Sequence, residues 1–354
     1  MDRKTKEEIL DAGIAAPSAD NSQPWEFAWC GDDELDLRID ASRSGRVSDT
    51  RYVLSDLACG ACLENMIIRG RSLGHAAELQ IFPRPDDELW VARIHWRPAP
   101  DGDQPEPLAA AIEQRHTDRS FPWRGPIDSD TQARLDAQAT LIPGQRLYWP
   151  KTPRERKAAL GIIRQAEALR FKSPTLHAEL FSSIRFSEGW HTDCEEGLAP
   201  AALAVEPPLR PFFQMLRRPG AMRMFNRLGT ASVLGWRSAW LPIRLSPGLC
   251  LVVILSMART EVLAGGRALQ RVWLQATLEG LSVQPYAAAG VLGLGFVPVE
   301  PAFQPALTRL RSALGELSAP GRGLVFLRLG HASSPPRHRS GRRARSSFGP
   351  SRQG

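Results

Sequence analysis

The chain has 354 residues, enough for one large hydrophobic core or two ordinary ones, and its 43% hydrophobic and 23% charged residues are ordinary for a soluble globular protein. The net charge of +7 suggests a nucleic-acid binder until it is located. Residues 331–354 hold six arginines (Arg337, Arg339, Arg342, Arg343, Arg345 and Arg352) and no Asp, Glu or Lys, which leaves the body at about +1. Such a tail serves either as a disordered arm for nucleic acid or as a source of anion ligands for a folded site.

The opening segment MDRKTKEEIL lacks the apolar core and small-residue cleavage site of a secretory signal. The longest apolar run, LCLVVILSMA from Leu249, is about half the length that a membrane-spanning helix needs. Five cysteines (Cys30, Cys59, Cys62, Cys194, Cys250) do not form the pattern of a disulfide framework. The expectation is a cytoplasmic protein with no membrane partner.

In chain order, residues 4–15 carry helical spacing and run into the loop APSADNSQPW. Strands follow at LDLRI and LWVARIHW, where apolar residues alternate. Between them, VLSDLACGACLENMIIRG reads as a buried helix whose small residues permit close approach to a neighbour. The stretch 97–107, RPAPDGDQPEP, is the best linker. A helix at LAAAIEQR, the segment HTDRSFPWRGP and a long helix from Thr152 to Phe171 come next. Residues 195–248 read as irregular, with a basic amphipathic stretch at 211–228. LCLVVILSM is a buried strand. GGRALQRVWLQATLEG places Leu269, Val272, Trp273 and Ala276 on one helical face, and Gly280 stops it. LVFLRLG is a last strand before the tail. The mixture predicts an α+β fold, with no repeat of about 20–50 residues of the solenoid kind.

Two segments carry candidate chemistry. APSADNSQPW can be a plain helix-to-strand turn in which Ser18 or Asn21 satisfies backbone groups. RHTDRSF sets two guanidinium groups four residues apart with a hydroxyl between them, a set able to hold a phosphate or to end a helix in solvent. Together they resemble the nitroreductase family of FMN proteins. Ala16–Trp25 is similar to that family's PSxxNxQPW loop, and Arg115–Phe121 to its RxSxRxF segment with Thr117 in place of Ser. The late helix, the turn after it and the basic end resemble the family's corresponding parts. The resemblance implies a nitroreductase-like fold that binds FMN. Pro17, Ser18 and Asn21 would contact ring and ribityl chain. Arg115, Thr117 and Arg119 would hold the phosphate and pyrimidine edge, joined by Arg339, Arg342 and Arg343 from the tail, while Gln284 and Pro285 would lie under the ring.

The order of the motifs is reversed. Ordinary members carry RxSxRxF first and form homodimers that share each flavin between subunits. Here the loop precedes the clamp, and neither motif occurs twice. The order resembles tandem nitroreductase-like proteins of actinobacteria, with a first half at 1–100, a second half at 101–335 and a basic tail at 336–354. A fused, unequal pair of this kind implies a monomer with one flavin. The family's Pro-x-Glu-Gly turn is replaced by Pro285-Tyr286-Ala287-Ala288, so reductase turnover follows less directly than flavin binding. The implied activity passes electrons from NAD(P)H through FMN to a nitro, quinone or similar small acceptor, with no catalytic acid or base and no nucleic-acid partner. The alternatives are a protein that sequesters FMN beneath residues 195–248, and a nucleic-acid or membrane module.

Other signals point to structure rather than chemistry. Cys59 and Cys62 sit in mid-helix among small neighbours, which favours packing over zinc or redox chemistry. HTDC at 191–194 has no partner cluster, and GVLGLGF at 290–296 does not follow a strand as a dinucleotide fingerprint would. The stretch at 211–228 fits a cover over a ligand site better than a membrane-surface helix, because Pro and Gly interrupt it.

Overall fold

The computed structural model describes residues 1–100, 105–334, 336 and 338–349. Part of the linker (101–104) and Arg337 and Arg352 of the tail lie outside the described residues. The first half begins with helix α1 (Arg3–Ile14), started by Asp2, whose carboxylate accepts from the Thr5 amide at 2.7 Å. Strands β1 (Trp25–Trp29) and β2 (Glu34–Ile39), helix α2 (Val53–Ser72), and strands β3 (His75–Ile81) and β4 (Trp90–Pro98) follow. They form an antiparallel sheet of order β1-β2-β4-β3. Trp25, Leu35, Leu37, Val91 and Ile94 bury its inner face. β3 escaped the sequence reading because HAAELQI alternates only weakly and stays half-exposed.

The helix expected at LAAAIEQR is instead one 3-10 turn at Pro107–Ala111. The chain must leave the helical path there, because the Asp118 amide donates to the Val283 carbonyl at 3.0 Å.

The second half contains α3 (Ser129–Thr140), β5 (Arg146–Tyr148), α4 (Pro153–Lys172) and α5 (Pro174–Ser183). Short helices α6 (Arg210–Met215), α7 (Pro219–Asn226), α8 (Thr230–Gly235) and α9 (Leu241–Arg244) come next, where irregular chain was expected. Then follow β6 (Gly248–Ile254), α10 (Arg259–Leu278), β7 (Ser282–Tyr286), α11 (Ala288–Leu294), α12 (Gln304–Ser318) and β8 (Arg322–Gly330). The long helix expected from Thr152 starts on a capping box. The Glu155 amide donates to Thr152 Oγ1 at 3.2 Å, and the Thr152 amide to Glu155 Oε2 at 3.0 Å.

The second sheet has the order β5-β6-β8-β7, the same relative order as the first, and all its pairs are antiparallel. Each half also inserts a 20-residue helix between its second and third strands, α2 in one and α10 in the other. The two helices pack on each other at paired glycines. A Cβ on Gly60 would run into the Leu263 carbonyl, and one on Gly266 into the Leu57 carbonyl. Buried polar pairs flank this crossing. Gln270 Nε2 donates to Asn65 Oδ1 at 2.7 Å, Arg271 Nη1 to Glu64 Oε1 at 2.7 Å, and Arg259 bridges both Asp56 oxygens at 2.7 and 2.8 Å. Sequence periodicity does not reveal this likeness, because α4 to α9 lengthen only the second half.

The described tail is an ordered strap across the first half. Phe348 is buried against Trp25 and Phe27, with ring centroids 6.4 and 6.1 Å away. Arg345 binds Asp11 at 2.6 and 2.8 Å.

Candidate functional site

A cavity of about 680 Å³ lies between the halves, within the usual size of a cofactor site. One wall comes from the loop after α1 and from Leu57, Ala58 and Ala61 of α2; the other comes from 112–119, the Leu269–Trp273 face of α10 and residues 284–288. Residues of α4, α5, α6, α8 and α9 close it.

The loop holds a strained path, with Asp20, Asn21 and Gln23 all at positive φ. Ser18 Oγ supports the turn by accepting from the Gln23 amide at 2.9 Å. Asn21 is buried and fully engaged. Its Nδ2 donates to the Glu195 and Gly341 carbonyls at 3.1 and 3.3 Å, and its Oδ1 accepts from Arg342 at 3.0 Å. Gln23 ties the same strands of chain, donating to the Glu195 carbonyl at 2.7 Å and accepting from the Arg343 amide at 3.0 Å.

Arg342 reaches back to the end of α1. Its guanidinium donates to the carbonyls of Ile14, Ala15 and Ala16 at 2.8 to 3.1 Å, which satisfies carbonyls that the helix leaves open. Burial pulls its pKa down to about 10. Arg343 departs from expectation: it does not line the cavity. It donates to the Gln23 carbonyl at 3.0 Å and stacks 4.3 Å over Phe348, because the strap that buries Phe348 carries it outward.

Residues 115–119 are positioned by the free edge of β7, where Thr117 forms a parallel bridge to Val283. Arg115 is buried, stacks 4.6 Å over Trp273 and donates one hydrogen bond, from Nη2 to the Ala15 carbonyl at 3.0 Å. Its Nε has no partner. Burial, with Arg342 nearby, pushes this guanidinium well below the ordinary arginine range. Arg119 is lowered by burial too, and its one hydrogen bond goes to the Ala202 carbonyl at 3.3 Å. Arg339 lines the cavity and is exposed. None of Arg115, Arg119, Arg339 or Arg342 forms an ion pair among the described residues. A buried cation such as Arg115 is costly unless an anion joins it. Gln284 adds a second orphan, a buried Oε1 without a donor.

Pro17, Ser18, Asn21, Arg115, Thr117, Arg119, Gln284, Pro285, Arg339 and Arg342 thus come to one cavity from points up to 325 positions apart. Sequence reasoning missed Trp273 and Leu269 as wall residues, since a cavity-facing and a core-facing apolar stripe have the same period. Where the family carries its Glu turn, Tyr286, Ala287 and Ala288 form an apolar wall, and the Tyr286 hydroxyl donates to the Ser238 carbonyl at 3.1 Å. Burial raises that phenol's pKa. The helical cover has a small core of its own, in which Phe181 lies 4.6 Å from His177 and 5.4 Å from Phe213.

This is an α+β protein with a two-sided cavity lined by several arginines, and its sequence is similar to those of mycobacterial proteins, some of them named as nitroreductases. Rv3131 of Mycobacterium tuberculosis, whose name provisionally calls it an NAD(P)H nitroreductase, is 32% identical over 139 residues, 39% of this chain and 40% of that protein. The protein acg of the same organism, similarly named, is 32% identical over 182 residues, 49% of this chain and 53% of that one. The uncharacterized protein MT1398 is 26% identical over 342 residues, 94% of this chain but 46% of its own length. The matches therefore span about half the length of these curated relatives. No profile of a known protein family matches. Among solved structures, a Desulfitobacterium hafniense nitroreductase with bound FMN is 14% identical with a TM-score of 0.37, covering 68% of this chain and 95% of that one. The Mycobacterium smegmatis nitroreductase NfnB in complex with NADPH is 16% identical with a TM-score of 0.35, over 68% and 96%.

Proposed function

We propose that the cavity holds one FMN and that the protein is a nitroreductase-like oxidoreductase. It would take electrons from NAD(P)H and pass them to a small acceptor such as a nitroaromatic or a quinone. The observation that carries this reading is that Arg115, Arg119, Arg339 and Arg342 all line the one cavity and none of them has a carboxylate within ion-pair distance among the described residues. A phosphate there supplies the missing charge, and charge-assisted contacts to it are the strong kind. Arg115, Arg119 and Arg339 would hold the phosphate. Arg342 shapes the loop that carries Pro17, Ser18 and Asn21. Gln284 offers an unpaired acceptor to a ring N–H. Bound FMN supplies the hydride chemistry. The protein's part is to orient the ring, exclude water with α4, α5, α6, α8 and α9, and place an apolar wall where the acceptor would stack.

The names of the mycobacterial relatives support this reading. We further infer that the halves, 1–100 and 101–335, are unequal copies of one unit and act as a monomer, with 336–354 as a strap. Their shared strand order and the paired helices α2 and α10 support that inference. The free thiols fit a reducing cytoplasm. The tail arginines bound to the protein itself fit a strap better than a nucleic-acid arm.

The wall at 286–288 and the Tyr286–Ser238 bond favour a second reading, FMN held without turnover. Both are tested by flavin released per chain from material of measured solution mass, followed by NADPH under anaerobic conditions. One flavin per monomer and bleaching on NADPH support the oxidoreductase. A protein that stays yellow indicates sequestration, and a protein that cannot be loaded with FMN overturns both.

A further inference from the structure

We propose that residues 207–247, the outer part of the cavity cover, form a docking surface for an anionic lipid bilayer. This segment holds seven arginines and no Lys, Asp or Glu. Arg217, Arg218, Arg223, Arg227 and Arg244 are exposed and form no ion pair among the described residues; Arg237 is the one paired with a carboxylate, that of Glu206 at 2.6 Å. Eight of the twelve large hydrophobic side chains left exposed in the described residues fall within the same segment. Leu228 at 79%, Val233 at 62% and Met224 at 56% are the most open of them.

Water gives no return for exposing these side chains, and a crowded set of unpaired arginines repels itself. An anionic surface relieves both costs. Apolar side chains enter the headgroup boundary while guanidinium groups meet lipid phosphates. The alternation Arg223-Met224 and Arg227-Leu228, on and just after α7, is the composition of an interfacial helix. A nucleic acid would neutralise the arginines but leave Met224, Leu228 and Val233 in water, so a bilayer fits the whole patch better. No described helix is long and apolar enough to cross a membrane, so the contact is peripheral.

The prolines and glycines of the segment break it into short helices that follow the cavity, so one stretch serves as both cover and contact surface. Leu209, Phe212 and Val233 line the cavity and are also 49%, 36% and 62% exposed. They belong both to the outer surface and to the cavity wall, which offers a route for a ligand dissolved in the bilayer. That route rests on the flavin reading; the docking itself does not.

The test is co-sedimentation of the full chain with phosphatidylcholine vesicles containing or lacking phosphatidylglycerol, at low and high salt, with flavin content recorded. Tight binding to the anionic vesicles, weakened by salt and nearly absent on neutral ones, is expected. Replacing Arg218, Arg223 and Arg227 together with Ser should weaken binding by on the order of a hundredfold, about fivefold for each arginine near the surface. Met224→Ser with Leu228→Ser should weaken it with all arginines kept. Circular dichroism and flavin content of these variants should match the parent, since none of the five residues lines the cavity. The proposal is overturned if anionic vesicles leave the parent in the supernatant at low salt. It is also overturned if the arginine variant sediments like the parent, or if duplex DNA is bound while vesicles are not.

Discussion

Arg115 separates a ligand-binding role from a structural one most sharply. Consider Arg115→Met, which keeps the length and the apolar stem while removing the charge. In the free protein the guanidinium makes one hydrogen bond, to the Ala15 carbonyl at 3.0 Å, and Arg342 Nη2 also serves that carbonyl at 3.1 Å. The substitution therefore strands no acceptor. It gives up about 1 kcal/mol of hydrogen bond and roughly 0.5–2 kcal/mol of cation–π contact with Trp273. Against this it removes a buried cation whose Nε is unpaired, a group whose burial costs about 1–3 kcal/mol or more. These contributions nearly cancel, so the apoprotein should melt within a few degrees of the parent. FMN should behave differently. A lost charge-assisted contact of about 1.5–3 kcal/mol weakens binding by roughly 10- to 150-fold. Riboflavin, which lacks the phosphate, should lose much less. The assay is fluorescence titration of apoprotein with both flavins, beside thermal melting. Equal FMN affinity in variant and parent would sink the assignment of Arg115 to the phosphate. A large loss of apoprotein stability would mean that Arg115 is a strut.

Two further outcomes follow from the packing. Asn21→Ala should act mainly on structure, because all of its polar atoms bind chain: losing the bonds to Glu195, Gly341 and Arg342 should cost about 2–4 kcal/mol, at about 1 kcal/mol each and more where Arg342 is stranded. Faster proteolytic release of the tail should accompany a lower melting temperature; an unchanged melt with lost flavin would show instead that Asn21 is a direct ligand. Gly266→Ala places a methyl against the Leu57 carbonyl at the α2–α10 crossing and should lower the urea midpoint by an amount worth more than about 2 kcal/mol, whereas Gly315→Ala, with open space around it, should not.

The sequence by itself determined the local parts: a helix over 4–15, the long helix from Thr152 to Phe171, the buried runs of α2 and β6, and the two polar segments at 16–25 and 115–121. These are legible because caps, periodicity and turn residues act within a few positions. The reversed motif order implied two unequal copies, and the two four-stranded sheets have the same relative strand order. The tertiary structure alone decided the rest. Nothing near Arg343 in sequence says that Phe348 will be buried between Trp25 and Phe27 and draw Arg343 away from the cavity while Arg342 stays. The conversion of the expected helix at LAAAIEQR into one turn likewise depends on a backbone bond to Val283, far along the chain. Asn21 reads as a ligand in its motif, yet carbonyls of Glu195 and Gly341 occupy its amide. Hydrogen bonds and burial between segments hundreds of residues apart outweigh local preference, and no local pattern encodes which distant carbonyl or ring will be there.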